Sequence, residues 1–552
     1  MARRIFIGLS EFDRIRRGDC FYVDKTAFLA DWWKQGAAVT IANRPRRFGK
    51  TLTISTIERF FSTAYKDQAE LFDGLDVWQD ADMRRVTGTV PVIKVTFGGV
   101  KGGTYAAARA LVVTELQELF GNFVRLRTAP ELTPQERQYF AEFGTGATDA
   151  DIQNSLRRLS TAVFKTDGVR PIILIDEYVT PMQEAWLRGY WTEMADLMRP
   201  MLNLAFKDNP NLERGLLTGI TRVSKESVFS DFNNPDVITT SSVRYSRSFG
   251  FTESEVTAAL AEYGMADLVK MKDWYDGFTF GNDHDIYNPW SIVNYLYHKE
   301  FKPYWANSSS NDLAGSLLQN GSKDVKQAFE TLLSGGTVTT LLDEKISYRD
   351  FNGSASAVWA LLLACGYLKI VRRCEDGVYE LAVTNREVRR EFENLIRRWF
   401  DKQEVSSDYR DFLTALAQCN VADMTDCLND LTRGMFRFFD VGAAEPERFY
   451  HGFVLGLLVS LKDRYVLTSN RESGRGCYDV VLEPRDQTKD AAFILEFKSV
   501  KGGTLEGGVK AALAQITEKR YSEDLQHRGI PADRIHTFGI AFSGKDVLVG
   551  GA

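Results

Sequence analysis

The chain has 552 residues, 44% of them hydrophobic and 26% charged, with 68 Lys+Arg against 74 Asp+Glu. That balance excludes a disordered chain, and the length exceeds the roughly 250–300 residues at which one core stops growing, so several domains are expected. The net charge of −6 means that any nucleic-acid contact must come from a local basic surface and not from the global field.

The N-terminal stretch MARRIFIGLSEFDR has two arginines but no apolar run behind them, and no stretch of ~18 apolar residues occurs anywhere. The six cysteines (Cys20, Cys365, Cys374, Cys419, Cys427, Cys477) form no CxxC pair and have no histidine at zinc-ligand spacing. Free thiols, a reducing compartment and a cytoplasmic protein with no membrane partner are the expectation.

In chain order, FYVDKTAFLADWW (21–33) reads as an extended Tyr-Val followed by a helix capped near Asp24, with Asp-Lys-Thr as a cap with solvated neighbours. VTIANRPRRFGKT (39–51) follows. Val39 to Ala42 suits a buried strand, Pro45 stops the ladder, Gly49 frees the backbone, and Lys50-Thr51 opens a helix. Strand, tight loop and GKT at a helix start make a phosphate-binding loop, because a helix N-terminus offers unpaired N–H groups to an anion. Lys50 adds a point charge and Thr51 a hydroxyl for Mg²⁺. Arg44 stands where the pattern GxxxxGK[ST] has glycine, and Arg46 and Arg47 add positive charge beside it. Pro45, Arg46, Phe48, Gly49, Lys50, Thr51 and Leu52 are the candidate nucleotide-binding loop.

VPVIKVTFG (90–98) and YAAARALVVTELQELF (105–120) continue an alternation of strand and helix, which argues a parallel sheet covered on both faces. PIILIDEYVTP (171–181) ends a buried strand in Asp176-Glu177. A carboxylate there faces the mouth of the loop, so Asp176 is a candidate Mg²⁺ ligand with Thr51 and Glu177 a candidate for polarising the attacking water. The strand in ERGLLTGITRVSK (213–225) places Thr218 and Thr221 as candidate γ-phosphate sensors, with Arg222, ahead of Lys225, as a cationic stabiliser.

FGFTESEVTAALAEYG (249–264) opens a helix with Thr252 as N-cap and Glu255 three residues on, a capping box. In residues 274–296, Asp276-Gly277 and Gly281-Asn282 are turns, and Pro289 sits at a helix start. The aromatics Trp274, Tyr275, Phe278, Phe280, Tyr287 and Trp290 read as core, and the whole segment as a small helical lid over the nucleotide. Residues 355–400 read helix, hairpin, helix, a winged-helix-like arrangement whose expected role is to join domains. A helical spacer follows to residue 440.

The last stretch has an apolar helix carrying His451, then RGCYDVVLEP, a polar turn and AFILEFKSV. Strand alternation puts Ile494, Glu496 and Lys498 on one face and Phe493, Leu495 and Phe497 on the other. An Asp, here Asp479, followed across a hairpin by Glu-x-Lys is the PD-(D/E)XK nuclease pattern. Asp479 and Glu496 are its candidate metal ligands, and Lys498 would orient or deprotonate the attacking water.

The stretches FYVDKTAF, NRPRRFGKTL, LIDEYVTP, TGITRVSKESVFSDFNN, WYDGF, YNPWSI, ACGYL, FYHGFVLGLL, YDVVL, ILEFK and GIAFSGK span nearly the whole chain. In them the chain resembles the bacterial family that joins an AAA-ATPase-like domain to a C-terminal PD-(D/E)XK nuclease domain. RPRRFGKT is that family's own form of the P-loop. The chain departs from the family at Val179-Thr180, often Asp-Lys, and at Thr384-Asn385, usually Pro-Asn. By resemblance, Gln515 is the helix glutamine near the nuclease metal site.

The expected architecture is α/β and multidomain. It comprises an AAA-like P-loop NTPase with a parallel sheet (1–248), a helical lid and linker (249–354), a winged-helix-like module and spacer (355–440), and a restriction-endonuclease-like α/β domain (441–552). The function expected is ATP binding and hydrolysis controlling a metal-dependent nuclease, with ATP and Mg²⁺ as cofactors and Mn²⁺ an alternative at the nuclease site. DNA or RNA is the expected partner, and a homo-oligomer is compatible with the sequence. The rival reading is a nucleotide-switched binding protein whose nuclease fold does not cut.

Overall fold

The computed structural model describes residues 2–35, 37–207, 209–220, 235–305, 314–315, 317–318, 321–342, 354–375, 377–401, 405–438, 456, 460–472, 477–500, 502–543 and 546–551. Two compact units divide the chain. The first comprises Met1–Leu313 with Thr339–Val388, and the second Ala314–Val338 with Arg389–Ala552.

The first unit is built on a five-stranded sheet of β1 (Val39–Asn43), β2 (Val92–Thr96), β3 (Ile172–Asp176), β4 (Arg214–Gly219) and β5 (Asp236–Ile238). The order is β2-β3-β4-β1-β5 and every pairing is parallel. β1 and β3 are buried at every position, which is why both read as unbroken apolar runs instead of alternating ones. Because β4 lies between β1 and β3, Asn43, Asp176 and Thr218 all end up at the carboxyl edge of the sheet, where α/β folds bind ligands.

The small sheet β6 (Phe251–Thr252), β7 (Phe278–Phe280) and β8 (Asp283–Tyr287) follows in the order β6-β8-β7. The capping box forms as expected: Glu255 N donates to Thr252 Oγ1 at 3.4 Å, and Thr252 N to Glu255 Oε2 at 2.7 Å. Pro289 opens the helix Pro289–His298, capped by Asn288. Trp274, Tyr275 and Tyr287 are buried with Tyr295 in one apolar cluster, Phe278 and Phe280 in another, and Trp290 is half-buried. β10 (Leu368–Arg373) and β11 (Val378–Val383) form the expected hairpin, and β9 (Val338–Leu341) adds a third strand that the sequence pattern did not announce.

One local expectation is corrected. Asp24-Lys25-Thr26 is not a solvated helix cap, since the helix Ala27–Lys34 has no side-chain cap bond. Asp24 instead accepts from Thr26 N at 2.8 Å and from Asp76 N at 2.7 Å, and the buried Thr26 hydroxyl accepts from Val77 N at 3.1 Å. Lys25 Nζ reaches Glu255 at 2.7 and 2.8 Å and Arg247 O at 2.8 Å. The tripeptide thus satisfies N–H groups at the start of the short helix Asp76–Gln79 and ties the N-terminal segment to the helix Glu253–Glu262.

The second unit carries a mixed sheet of β12 (Tyr465–Glu472), β13 (Cys477–Pro484), β14 (Ala492–Ser499), β15 (Ile535–Ser543) and β16 (Asp546–Gly551), in that order. Only β14 and β15 pair in parallel, and the helix Leu505–Glu518 makes their crossover. That helix packs so closely on β15 that a Cβ at Gly539 would sit 2.8 Å from Val509 O. The edge strand β16 is covered by the helix Val421–Phe438, where the Asn429 amide exchanges two 2.9 Å bonds with Val547.

Candidate functional site

The loop between β1 and the helix Lys50–Phe61 is shaped by two residues in the left-handed region, Arg47 at φ 64° and Gly49 at φ 83°. Gly49 caps the helix, leaving its first N–H groups directed at the loop's concavity. Lys50 is buried, and its ammonium donates to Arg44 O at 3.0 Å and Pro45 O at 2.8 Å. Burial pulls its pKa down to about 8, and the charges of Glu177 and Asp176 hold it from falling further.

Thr51 Oγ1 donates to Asp176 Oδ2 at 2.7 Å, and the Thr218 hydroxyl donates to Asp176 Oδ1. One carboxylate therefore joins the ends of β3 and β4 to the loop helix. Thr218 is fully buried behind Asp176, so its hydroxyl orients the carboxylate. Glu177 takes φ 51°, an uncommon conformation for a residue with a side chain, and accepts from Thr180 Oγ1 at 3.1 Å. The hard oxygen donors Thr51 and Asp176 suit Mg²⁺.

Arg44 is wholly buried, donating to Asn43 O at 3.1 Å, Thr239 O at 2.5 Å and Tyr245 O at 3.3 Å, with its guanidinium 4.5 Å from the Phe280 ring centre. It fills the position of the missing glycine as a tether for the segment after β5. Phe48 also points inward, edge-on to Phe278 at 4.8 Å, so only its backbone faces the loop. Pro45 packs beside Gly366, and Arg46 donates to the Tyr367 hydroxyl at 3.2 Å. Arg222, Thr221 and Lys225 lie outside the described residues.

A cavity of ≈ 530 Å³ opens over this loop. Arg46, Phe48, Gly49, Lys50, Thr51, Leu52 and Glu177 line it together with the apolar residues Phe6, Leu9, Phe21, Phe251, Trp290 and Val293. Lys101, Thr180 and Gln183 also border it. Sequence reasoning missed these three, although the glycine-flanked Lys101 in FGGVKGG marks a loop at the same sheet edge.

Glu253, Asp276 and Asp285 converge at one point, where Lys272 Nζ already supplies a cation, 2.8 Å from Glu253, 3.2 Å from Asp285 and 3.9 Å from Asp276. Burial, with Asp285 adding to it, raises Asp276 to about 7.

In the second unit, Asp479 on β13 is directly opposed to Glu496 on β14, and Cys477 to Lys498. Directly opposed positions share a sheet face. Glu496 has no exposure, and the Lys498 ammonium donates to Gln515 Oε1 on the crossover helix. Ile494 packs with Ile516 of that helix, so the face expected to carry Ile494, Glu496 and Lys498 is the helix-covered one. A buried carboxylate is stable only with a proton or a cationic neighbour, and a pair of acidic positions suits a hard divalent cation.

Residues 6–229 match the family model described as predicted AAA-ATPase, and residues 445–551 match the PD-(D/E)XK nuclease superfamily. The chain carries an AAA-ATPase-like domain and a PD-(D/E)XK nuclease-superfamily domain. A protein of Azotobacter chroococcum mcd 1, described as an uncharacterized protein in the vnfD 5' region, is 28% identical over 98% of this chain and 96% of its own length. The AAA-ATPase-like match contains the loop, Asp176, Glu177 and Thr218, and the nuclease-superfamily match contains Asp479, Glu496, Lys498 and Gln515. The two domains support a nucleotide-binding and nuclease-like protein. No described helix is long and apolar enough to cross a membrane.

Proposed function

We propose that the chain binds and hydrolyses ATP in the cavity of its AAA-ATPase-like domain, and that nucleotide state there controls a metal-dependent nuclease in its C-terminal domain. The observation that carries this reading is the convergence of Lys50, Thr51 and Glu177 on one cavity that aromatic side chains also line, with Asp176 hydrogen-bonded to Thr51. The phosphates fit the helix N-terminus and Lys50, and an aromatic base fits the side chains of Phe6, Phe21 and Phe251. Glu177 accepts the proton of the attacking water, while Thr218 keeps Asp176 turned toward Thr51.

Thr51 and Asp176 would hold Mg²⁺ at the first site, and Asp479 and Glu496 would hold Mg²⁺ or Mn²⁺ at the second. A divalent cation there polarises phosphate oxygens and acidifies water. Lys498, fixed by Gln515, orients the water that attacks the scissile phosphate, and the nucleic-acid substrate is DNA or RNA. Cleavage of a panel of nucleic acids with and without ATP and metal tests the reading. Metal-dependent cleavage that changes with ATP supports it; tight nucleic-acid binding with no product under any metal supports the rival binding protein.

A further inference from the structure

The loop carries three arginines, Arg44, Arg46 and Arg47, and the structure gives each a different task. Arg44 is committed to buried carbonyls, and Arg46 turns to the Tyr367 hydroxyl and lies 5.5 Å from the Trp305 ring centre. Arg47 lies 4.4 Å from the ring centre of Trp290, and both residues border the same cavity as Lys50, Thr51 and Glu177. Trp290 is the second residue of the lid helix Pro289–His298. Arg47 is held at φ 64°, which turns it out of the course a helical or extended residue would take. Partial burial lowers its pKa, and the charge of Glu177 opposes that shift, so the guanidinium feels the carboxylate expected beside the attacking water.

We propose that Arg47 is a catalytic arginine supplied in cis: with a nucleoside triphosphate bound, its guanidinium moves from the Trp290 ring to the γ-phosphate and stabilises the charge that develops there during hydrolysis. The inference rests on the nucleotide reading of the cavity. A charge-assisted, forked bond to phosphate oxygens is stronger and more directional than a cation over an aromatic face, so a γ-phosphate within reach competes well against the Trp290 ring. In the reaction the water oxygen bonds to the γ-phosphorus, the bond to the bridging oxygen breaks, and ADP leaves with the electron pair. The water proton passes to Glu177, and Arg47 keeps its own. Because Trp290 begins the lid helix, the same movement reports the state of the γ-phosphate to the lid.

The test uses the full chain with ATP and Mg²⁺, and compares wild type with Arg47→Ala, Arg47→Lys, Trp290→Phe and Lys50→Ala. Expected for Arg47→Ala is a fall in kcat of at least ~100-fold with ATP affinity changed less than ~10-fold, because arginines of this kind act on the transition state. Arg47→Lys, which keeps the charge without the fork, should stay at least ~10-fold below wild type and decides the matter if Arg47→Ala does not fold. The Trp290 fluorescence, taken as wild type minus Trp290→Phe, should change on ATP addition and lose that response in the Arg47 variants. A kcat within threefold of wild type in the variants, a Trp290 response that persists without Arg47, or a wild type that binds ATP but never hydrolyses it would each overturn the proposal. Normal ATP affinity in Lys50→Ala would instead remove the nucleotide reading beneath it.

Discussion

Restoring glycine at Arg44 should damage the protein rather than perfect its phosphate loop. The Arg44 guanidinium, itself fully buried, donates to Asn43 O at 3.1 Å, Thr239 O at 2.5 Å and Tyr245 O at 3.3 Å. Counting the bonds to Thr239 and Tyr245, the two that reach the segment after β5, at about 1.5 kcal/mol each, Arg44→Gly loses about 3 kcal/mol of the free energy that holds that segment closed. That is a factor of about 100 in its opening equilibrium. The loss is local, so amide hydrogen exchange is the proper assay, and it does not require the whole chain to unfold in one step. Peptides spanning residues 236–250 should exchange about 100-fold faster in Arg44→Gly, while β2 and the second unit stay unchanged. Exchange there within threefold of wild type would refute the idea that Arg44 is a structural tether.

ATP affinity should fall as pH rises above about 8, because Lys50 is lowered to about 8 by burial and binds phosphate only when charged; its contribution is complete below that pH and lost above it. Calorimetry at pH 8.5 in two buffers of different ionisation enthalpy should show proton uptake on binding. Glu255→Ala removes both the capping box and the Lys25 ion pair and should cost about 2 kcal/mol, read as faster exchange in the helix Glu253–Glu262, whereas Glu255→Gln should cost less than half of that. Asp479→Ala and Glu496→Ala should each abolish cleavage and Mn²⁺ binding, while Lys498→Ala abolishes cleavage and leaves Mn²⁺ binding intact, measured by calorimetry on the same preparations.

What the sequence made legible was local. The strand, loop and helix around Gly49, the capping box at Thr252 and the start at Pro289 depend on neighbours a few residues apart, and they read correctly. That Asp479 lies on the strand paired with that of Glu496 was also readable, because a polar connection joins two adjacent strands, whereas their direct opposition came only from the register. Long-range partners were hidden. Nothing near Lys25 announces Glu255, 230 positions away, and nothing near Arg44 announces Thr239, 195 positions away. The insertion of β4 between β1 and β3, and the joining of β9 to a hairpin, are choices of topology that propensity does not encode. The apolar lining at Phe6 and Phe21 escaped for the same reason, since isolated aromatics far from the loop gain meaning only when the chain brings them to it.

The central claim is that nucleotide state governs a metal-dependent nuclease, and one measurement addresses it directly. The intact chain is incubated with single- and double-stranded DNA and RNA in Mg²⁺ or Mn²⁺, with and without ATP, beside Glu496→Ala and Lys50→Ala. The account predicts metal-dependent cleavage that shifts with ATP, disappears in Glu496→Ala, and loses only its ATP response in Lys50→Ala. Cleavage that survives in Glu496→Ala, or that is identical with and without ATP in wild type, would contradict it.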